Sequence, residues 1–151
     1  MGELKRILLV EDSPNDVELT LTALELNHLA NEVIVARDGE EALDFLYRRG
    51  IFKLRSEGSP AVVLLDLKLP KVDGLEVLQT LKSDDNLRTI PVVMLTSSRE
   101  EQDLLRSYNL GVNAYVVKPV DFQEFVAALR EIGMFWAVLN EPPPGSVASL
   151  R

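Results

Sequence analysis

The chain has 151 residues, of which 46% are hydrophobic and 26% charged, and a formal net charge of −8, which fits one globular domain of ordinary size. The lack of cysteine excludes a disulfide scaffold or a thiolate metal site, and no apolar run is long enough to span a membrane. The acidic balance argues against nucleic-acid binding, and no signal peptide is visible at the start, so we expect a cytoplasmic protein with neither nucleic acid nor membrane as partner.

Short aliphatic runs alternate with amphipathic segments along the whole chain. An apolar run without alternation is typical of a strand that is buried on both faces of a parallel sheet. The predicted strands cover residues 7–10, 32–36, 62–65, 90–95 and 113–117. Helices are predicted after the cap residues Ser13, Asp38, Asp73 and Asp121, and over about 99–109.

Five strands that alternate with five helices predict an α/β fold. Its parallel strands would be joined by right-handed crossovers, with helices on both faces of the sheet. Residues 51–60 form a loop longer than most such connections, which we interpret as a tolerated surface insertion. We expect the domain to cover residues 1–139 with an extended last helix. Residues 140–151 would then be a flexible, proline-rich tail.

Polar residues stand directly after the apolar strands. They are Glu11, Asp12, Asp66, Thr96 and Lys118, and the ends of parallel strands would bring them to one edge of the sheet. Three neighbouring carboxylates repel one another unless a cation lies among them, and their oxygen atoms suit Mg²⁺. With a lysine and a hydroxyl group nearby, Asp66 is equipped to attack a phosphoryl group and become an aspartyl phosphate.

These residues resemble the receiver domain of two-component response regulators. The resemblance rests on residues 8–12, 66–70, Asp73-Gly74, 95–97, and Tyr115 followed by Lys118-Pro119, which occur in the family's order up to about residue 139. It implies a flavodoxin-like, doubly wound sheet of order 2-1-3-4-5, a topology that receiver proteins are known to adopt. It further implies that a partner histidine kinase phosphorylates Asp66.

The resemblance also implies a role for each site residue. Glu11, Asp12, Asp66 and the Lys68 carbonyl would hold Mg²⁺ or Mn²⁺, and Glu11 replaces the commoner first aspartate. Thr96 and Tyr115 would form the switch, with Lys118 binding the phosphoryl group. The bond before Pro119 would be cis. The Lys68 side chain could contact the phosphoryl oxygens or impede an attacking water molecule.

A closer resemblance is to the single-domain regulators that serve cyanobacterial phytochromes. It rests on the 51–60 loop and the extended last helix, and it implies a phytochrome-type kinase as the partner. Because no output domain is visible after residue 139, the signal would leave by protein contacts or by onward phosphotransfer.

Two apolar groups of residues predict a partner surface on the last part of the domain. We expect a homodimer through the fourth helix, fifth strand and fifth helix, because the family commonly dimerises there. The expected surface residues are Leu104, Leu105, Tyr108, Met134, Phe135 and Val138.

Three alternatives remain at this point. An aspartyl-nucleophile phosphatase typically has a second acid two residues after the first, where this chain has Lys68. A flavodoxin-type FMN protein needs a phosphate loop after the first strand, where the acids of residues 11–16 would repel phosphate. A pseudo-receiver would be an interaction module that never takes phosphate.

Overall fold

Strands and helices alternate from the first described residue to the last. The structure, a computed structural model, describes residues 6–27, 32–55, 58–97, 100–118 and 121–134. The strands are β1 (Arg6–Val10), β2 (Glu32–Ala36), β3 (Val62–Leu65), β4 (Val92–Thr96) and β5 (Ala114–Val117). The helices are α1 (Pro14–Leu26), α2 (Gly39–Tyr47), α3 (Gly74–Ser83), α4 (Glu101–Asn109) and α5 (Phe122–Met134).

All five strands are parallel and lie in the order β2-β1-β3-β4-β5, which confirms the predicted flavodoxin-like topology. The register pairs Val10 with both Ala36 and Leu65, and Leu65 with Met94. The carboxyl ends of the three inner strands therefore lie side by side, so the residues that follow them share one edge.

The sheet separates two apolar clusters because successive side chains of a strand point to opposite faces. Leu8, Val63 and Met94 belong to the larger cluster, under α2 and α3. Leu9, Leu64 and other residues of the opposite parity pack with α1 and α5 in the second cluster. The central strands are thus fixed from both sides, as their uninterrupted apolar sequence predicts.

Each cap residue named from the sequence accepts a hydrogen bond from the backbone of its helix, which confirms the four predicted helix starts. The bonds are Asp16 N to Ser13 Oγ, Glu41 N to Asp38 Oδ1, Leu75 N to Asp73 Oδ1, and Gln123 N to Asp121 Oδ1.

Two element starts differ by two residues from the sequence prediction, whereas those of β1 and β5 differ by one. β4 begins at Val92 rather than at residue 90, because Pro91 has no N–H to give to the ladder, although its carbonyl accepts from Val63 N at 2.9 Å. α4 begins at Glu101, two residues later than expected.

The loop at 51–60 is more structured than the sequence suggests. It opens with a 3₁₀ turn over Gly50–Phe52, and the Phe52 ring meets Phe45 edge-on at 5.2 Å. The Arg55 guanidinium lies over the same Phe45 ring at 4.1 Å, a cation–π contact. This insertion is therefore anchored to α2.

Some predictions lie outside the described residues. They concern the cis bond before Pro119, the side chain of Met134, Phe135 and Val138, and the tail 140–151. Among the described helices, none is both long and apolar enough to cross a bilayer.

Candidate functional site at the carboxyl edge of the sheet

Backbone hydrogen bonds hold the predicted site residues at the end of the sheet. Asp66 N donates to Val10 O at 3.0 Å, and Lys118 N donates to Thr96 O at 2.7 Å. Each of these bonds extends a strand ladder by one residue beyond the strand. The side chains of Asp66 and Lys118 therefore start from a rigid backbone at the same edge of the sheet, with the end of β4 between them.

Three carboxylates form one group at this edge. Glu11, Asp12 and Asp66 each place an oxygen atom within 4.8 Å of the other two. Glu11 and Asp66 are buried, while Asp12 is exposed. Hard oxygen donors that are open to water on one side fit a divalent cation of the Mg²⁺ type, which keeps several water ligands. The donor chemistry of the residues present thus suits the predicted metal.

The ammonium of Lys118 lies inside this acidic group. Its Nζ donates to Glu11 Oε1 at 2.5 Å and to Asp16 Oδ2 at 3.1 Å, and it lies 3.8 Å from Asp66 Oδ1. Only 10% of the lysine side chain and 2% of the Glu11 side chain are exposed to solvent. Such a shielded cation offsets part of the repulsion among the carboxylates.

Burial and charge shift the ionisation of the site in opposite directions. Burial raises the pKa of Asp66 to about 7; the charge of Lys118 opposes that rise and the charge of Glu11 adds to it. Burial acts to lower the pKa of Lys118, but the Glu11 hydrogen bond and the Asp66 charge outweigh it, so the pKa is raised. The lysine therefore stays charged at neutral pH, whereas burial favours the protonated, uncharged form of Asp66.

The loop after Asp66 is packed without spare room. Asp66 Oδ1 accepts a hydrogen bond from Leu67 N at 2.9 Å, and Gly74 N donates to Leu67 O at 2.9 Å. A Cβ atom at Gly74 would lie only 2.2 Å from Asp66 O. The start of α3 therefore presses against the backbone of the site, and only glycine permits that approach.

The two predicted switch residues lie on one face of the sheet. Tyr115 pairs with Met94, and Thr96 lies two residues beyond Met94, so all three share a parity and face the larger cluster. Thr96 is buried and Tyr115 is half-buried. Their roles in switching, like that of the exposed Lys68 and its carbonyl, stay predictions.

The sequence reasoning missed Asp16. Its position three residues after the Ser13 cap is that of an ordinary acid in the first turn of a helix. In the structure, however, the carboxylate contacts Lys118. The only hint in the sequence is that Asp16 follows Asp12 by four residues, about one helical turn, which could have suggested that its side chain reaches the site.

Comparison with known proteins identifies the family. The sequence pattern of the response regulator receiver domain matches residues 7–130, which is most of the chain. The chain belongs to the response regulator receiver domain family.

Two curated relatives of this receiver domain match it over most of their length. The response regulator Rcp1 of Synechocystis is 41% identical over 132 residues, which cover 87% of this chain and 88% of the relative. The probable methanogenesis regulatory protein FilR2 of Methanothrix harundinacea is also 41% identical, over 91% of this chain and 86% of the relative.

Solved structures extend the likeness of this receiver domain to regulators that are named for bacteriophytochromes. The bacteriophytochrome response regulator AtBRR is 71% identical, with a TM-score of 0.77 over 93% of this chain and 100% of the other. RtBRR is 68% identical, with the same TM-score over 97% of this chain and 88% of the other. The Mn²⁺-bound form of Rcp1 is 40% identical, with a TM-score of 0.83 over 92% of this chain and 99% of the other.

The receiver domain also carries an unusual α4. Its buried residues are the polar Asp103 and Ser107, while Leu104, Leu105 and Tyr108 are exposed. An exposed apolar group on a helix whose inner side is polar reverses the usual arrangement of a surface helix. These three apolar residues are the ones that the sequence places on a predicted partner surface.

Proposed function

We propose that this receiver domain is a signalling switch that takes a phosphoryl group onto Asp66 from a phosphohistidine of a partner kinase. The observation that carries the proposal is the burial of Asp66 beside Glu11, Asp12 and the ammonium of Lys118. The names of the bacteriophytochrome response regulators AtBRR and RtBRR, and of the cyanobacterial phytochrome response regulator RcpA, support a phytochrome-type photoreceptor kinase as the donor. The family assignment supports action in the cytoplasm.

The proposed transfer is a displacement at phosphorus. An Asp66 carboxylate oxygen forms the new O–P bond while the P–N bond to the kinase histidine breaks, and the leaving imidazole takes up a proton. Lys118, already 3.8 Å from Asp66 Oδ1, would meet the negative charge of the phosphoryl oxygens. Glu11, Asp12, Asp66 and the Lys68 carbonyl would hold Mg²⁺, which supplies positive charge to the transferring oxygens.

The readout would pass through the sheet face that Thr96 and Tyr115 share. Phosphorylation adds about −1.5 to −2 charge, which gives the Thr96 hydroxyl a charged acceptor. A shift of the end of β4 toward Asp66 leaves room for the Tyr115 ring and changes the surface of α4. Ser107 Oγ of α4 is buried with no hydrogen-bond partner among the described residues. A buried hydroxyl without a partner destabilises the present position of α4, which favours a movement of the helix on phosphorylation.

Intact-mass measurement after incubation with Mg²⁺ and acetyl phosphate tests the proposal. The wild type is expected to gain the mass of one phosphoryl group and Asp66→Asn to gain none. Asp85→Asn is the matched control, because it makes the same isosteric change on a side chain that is 91% exposed. A wild type without any mass gain would favour the pseudo-receiver, and continuous release of phosphate without a stable adduct would favour the phosphatase.

The kinase assignment needs its own experiment. Candidate phytochrome-type kinases would be phosphorylated on histidine and mixed with the receiver. Loss of label from the kinase and its appearance on the receiver, but not on Asp66→Asn, is the expected result. Labelled kinase that keeps its phosphate through the reaction would exclude that kinase as the donor.

We also propose a homodimer through the face formed by α4, β5 and α5. The exposed Leu105 and Tyr108 of α4, at 55% and 50%, support it, since apolar groups of this kind usually mark partner surfaces. Leu105→Asp is expected to weaken the dimer at least about tenfold in sedimentation velocity runs, because a charge would be buried at the contact. Leu54→Asp is the matched control, since Leu54 is an even more exposed leucine in another segment. A dimer that survives Leu105→Asp unchanged would exclude this face.

A further inference from the structure

Asp16 lies at the site without belonging to the metal group. Its carboxylate is 3.1 Å from Lys118 Nζ, and 39% of its side chain is exposed. Among the residues that the structure describes, the carboxylates close enough to share an ion are those of Glu11, Asp12 and Asp66. Asp16 therefore contacts the lysine of the site from outside the predicted ligand set.

The first turn of α1 shows that the Asp16 carboxylate is turned away from its usual local task. In a capping box, the residue three after the cap accepts a hydrogen bond from the backbone N–H of the cap residue. Here the forward half is made, from Asp16 N to Ser13 Oγ at 3.3 Å. The return half is not, because Ser13 N donates to Glu11 Oε2, also at 3.3 Å. The Asp16 carboxylate is thus available to Lys118.

Glu11, by contrast, has two competing tasks. It is the shortest contact of Lys118, and it is also a member of the carboxylate group that suits a divalent cation. An ammonium and a divalent cation repel each other, so a cation bound at Glu11 would weaken the contact between Glu11 and Lys118. Of the two carboxylates to which Lys118 donates, Asp16 is the one that a cation at the group would leave in place.

We propose that Asp16 is a positioning residue for Lys118: the Asp16 carboxylate anchors the ammonium beside Asp66 and leaves its other N–H groups for phosphoryl oxygens. Lys118 has three N–H donors, and one bond to Asp16 leaves two. The anchor fixes the ammonium within the few ångströms over which charge stabilisation of a transferring group depends on placement. This inference rests on the proposed function of Asp66.

Phosphorylation kinetics with acetyl phosphate and Mg²⁺ test the proposal. In that reaction the Asp66–phosphorus bond forms, the P–O bond to acetate breaks, and acetate leaves. Asp16→Asn is expected to lower the maximal rate about tenfold, because a misplaced charged group loses transition-state stabilisation. The acetyl phosphate concentration at half-maximal rate is expected to change less than about twofold, and Asp16→Glu to recover part of the rate.

The matched control is Glu25→Gln, which removes the same charge from an exposed position at the other end of α1. Mg²⁺ affinity, measured by calorimetry, is expected to be equal within about twofold in Asp16→Asn and the control, because Asp16 is not a ligand. In a Lys118→Met background, Asp16→Asn is expected to have no further effect on the rate, since its action passes through the lysine.

The outcomes separate this inference from the proposed function. A wild type that takes up no phosphate overturns both. A wild type that is phosphorylated and an Asp16→Asn variant as fast as Glu25→Gln overturn the positioning role alone. An Asp16→Asn variant that still slows the reaction in the Lys118→Met background, or that loses Mg²⁺ affinity more than about fivefold, also overturns it.

Discussion

Two partly buried lysines lie at opposite edges of the sheet and donate to different kinds of acceptor. At the carboxyl edge, Lys118 donates to the carboxylates of Glu11 and Asp16. At the amino edge, Lys82 donates to the backbone carbonyls of Arg88 and Ile90, both at 3.0 Å. Burial lowers the pKa of Lys82, whereas the Glu11 bond and the Asp66 charge raise the pKa of Lys118 against the effect of burial.

The difference shows how one fold separates a structural edge from a responsive one. Carbonyl oxygens have fixed dipoles and no proton to exchange, so Lys82 joins the end of α3 to the segment before β4 as a permanent clamp. Carboxylates change their charge, bind cations and take up phosphoryl groups. The same side chain therefore has a changeable set of contacts only at the carboxyl edge.

The largest expected effect is a slower phosphorylation of Asp66, which replacement of Lys118 should cause and replacement of Lys82 should not. Lys118→Met should slow phosphate uptake from acetyl phosphate by about 10²–10³-fold, because a preorganised charge at the transferring group is lost. Lys82→Met should leave the rate within about twofold, since no described contact of Lys82 reaches the carboxyl edge. Both rates come from intact mass against time at saturating Mg²⁺.

Lys118→Met also removes the cation that faces two buried carboxylates, so its folded state must be verified before the rates are compared. Circular dichroism in the presence of Mg²⁺ provides that control. A Lys82→Met variant that is as slow as Lys118→Met would contradict the division between the two edges.

The second effect concerns the two edges' glycines. Gly74→Ala should destabilise the fold by about 1–3 kcal/mol, because its Cβ would overlap the backbone of Asp66 and Leu67. Gly111, at the amino edge, has φ +98°, and its added Cβ would meet only the flexible Lys82 stem at 3.4 Å or more. Gly111→Ala should therefore cost only the backbone strain of about 1 kcal/mol.

Urea unfolding measures both glycine variants. The rate of phosphate uptake distinguishes them further, because Gly74→Ala displaces the Asp66 backbone and Gly111→Ala does not. Equal rates in the two variants would mean that the close approach at Gly74 has no bearing on the site.

The third effect is a pH dependence of stability that originates at the carboxyl edge. Asp66 has a pKa of about 7 in the folded protein against 3.8 as the ordinary value, so the folded state binds more protons between these limits. The stability contributed by the protonated form is present below about pH 4 and is lost as the pH rises through 7. Asp66→Asn should remove this slope and, at about pH 7.5 without metal, stabilise the fold by about 1–3 kcal/mol.

Urea unfolding in a metal chelator at several pH values between about 4.5 and 7.5 measures the slope. Asp85→Asn, in an exposed turn, should keep the wild-type slope. Saturating Mg²⁺ should reduce the difference in the free energy of unfolding between wild type and Asp66→Asn, because a bound cation favours the ionised carboxylate. Parallel curves for wild type and Asp66→Asn would contradict the raised pKa.

The carboxyl edge could be predicted well because strand ends are visible in the sequence. The apolar run before Asp66 is typical of a buried strand, and parallel topology then placed Glu11, Asp12, Thr96 and Lys118 at the same edge. The strand order followed from the family resemblance and was confirmed.

What the sequence could not predict depends on the directions of side chains. The Asp16 carboxylate can accept a hydrogen bond either from the start of its own helix or from Lys118. Which of the two forms depends on whether Ser13 N–H already donates to Glu11, and the sequence pattern does not show that bond. The clamp made by Lys82 was missed as well, since a lysine near the end of a helix is usually an exposed charge. The inward Asp103 and Ser107 of α4 likewise contradict the usual sorting of polar residues to the surface.

The smallest expected effect is the stability contributed by the amino-edge clamp. Lys82→Met keeps the aliphatic stem that lies beside Gly111 and removes only the ammonium, which donates to the Arg88 and Ile90 carbonyls. Water can reach these carbonyls in part, so the loss should be about 1 kcal/mol, or about 2–4 °C in the midpoint of thermal unfolding. Arg88→Met serves as the control for loss of a positive charge nearby, because its own side chain is exposed and pairs with the exposed Asp85 at 3.8 Å. Since burial already lowers the pKa of Lys82, the cost of holding its charge offsets part of the hydrogen-bond gain, and a loss as large as that of Gly74→Ala would show that this offset is absent.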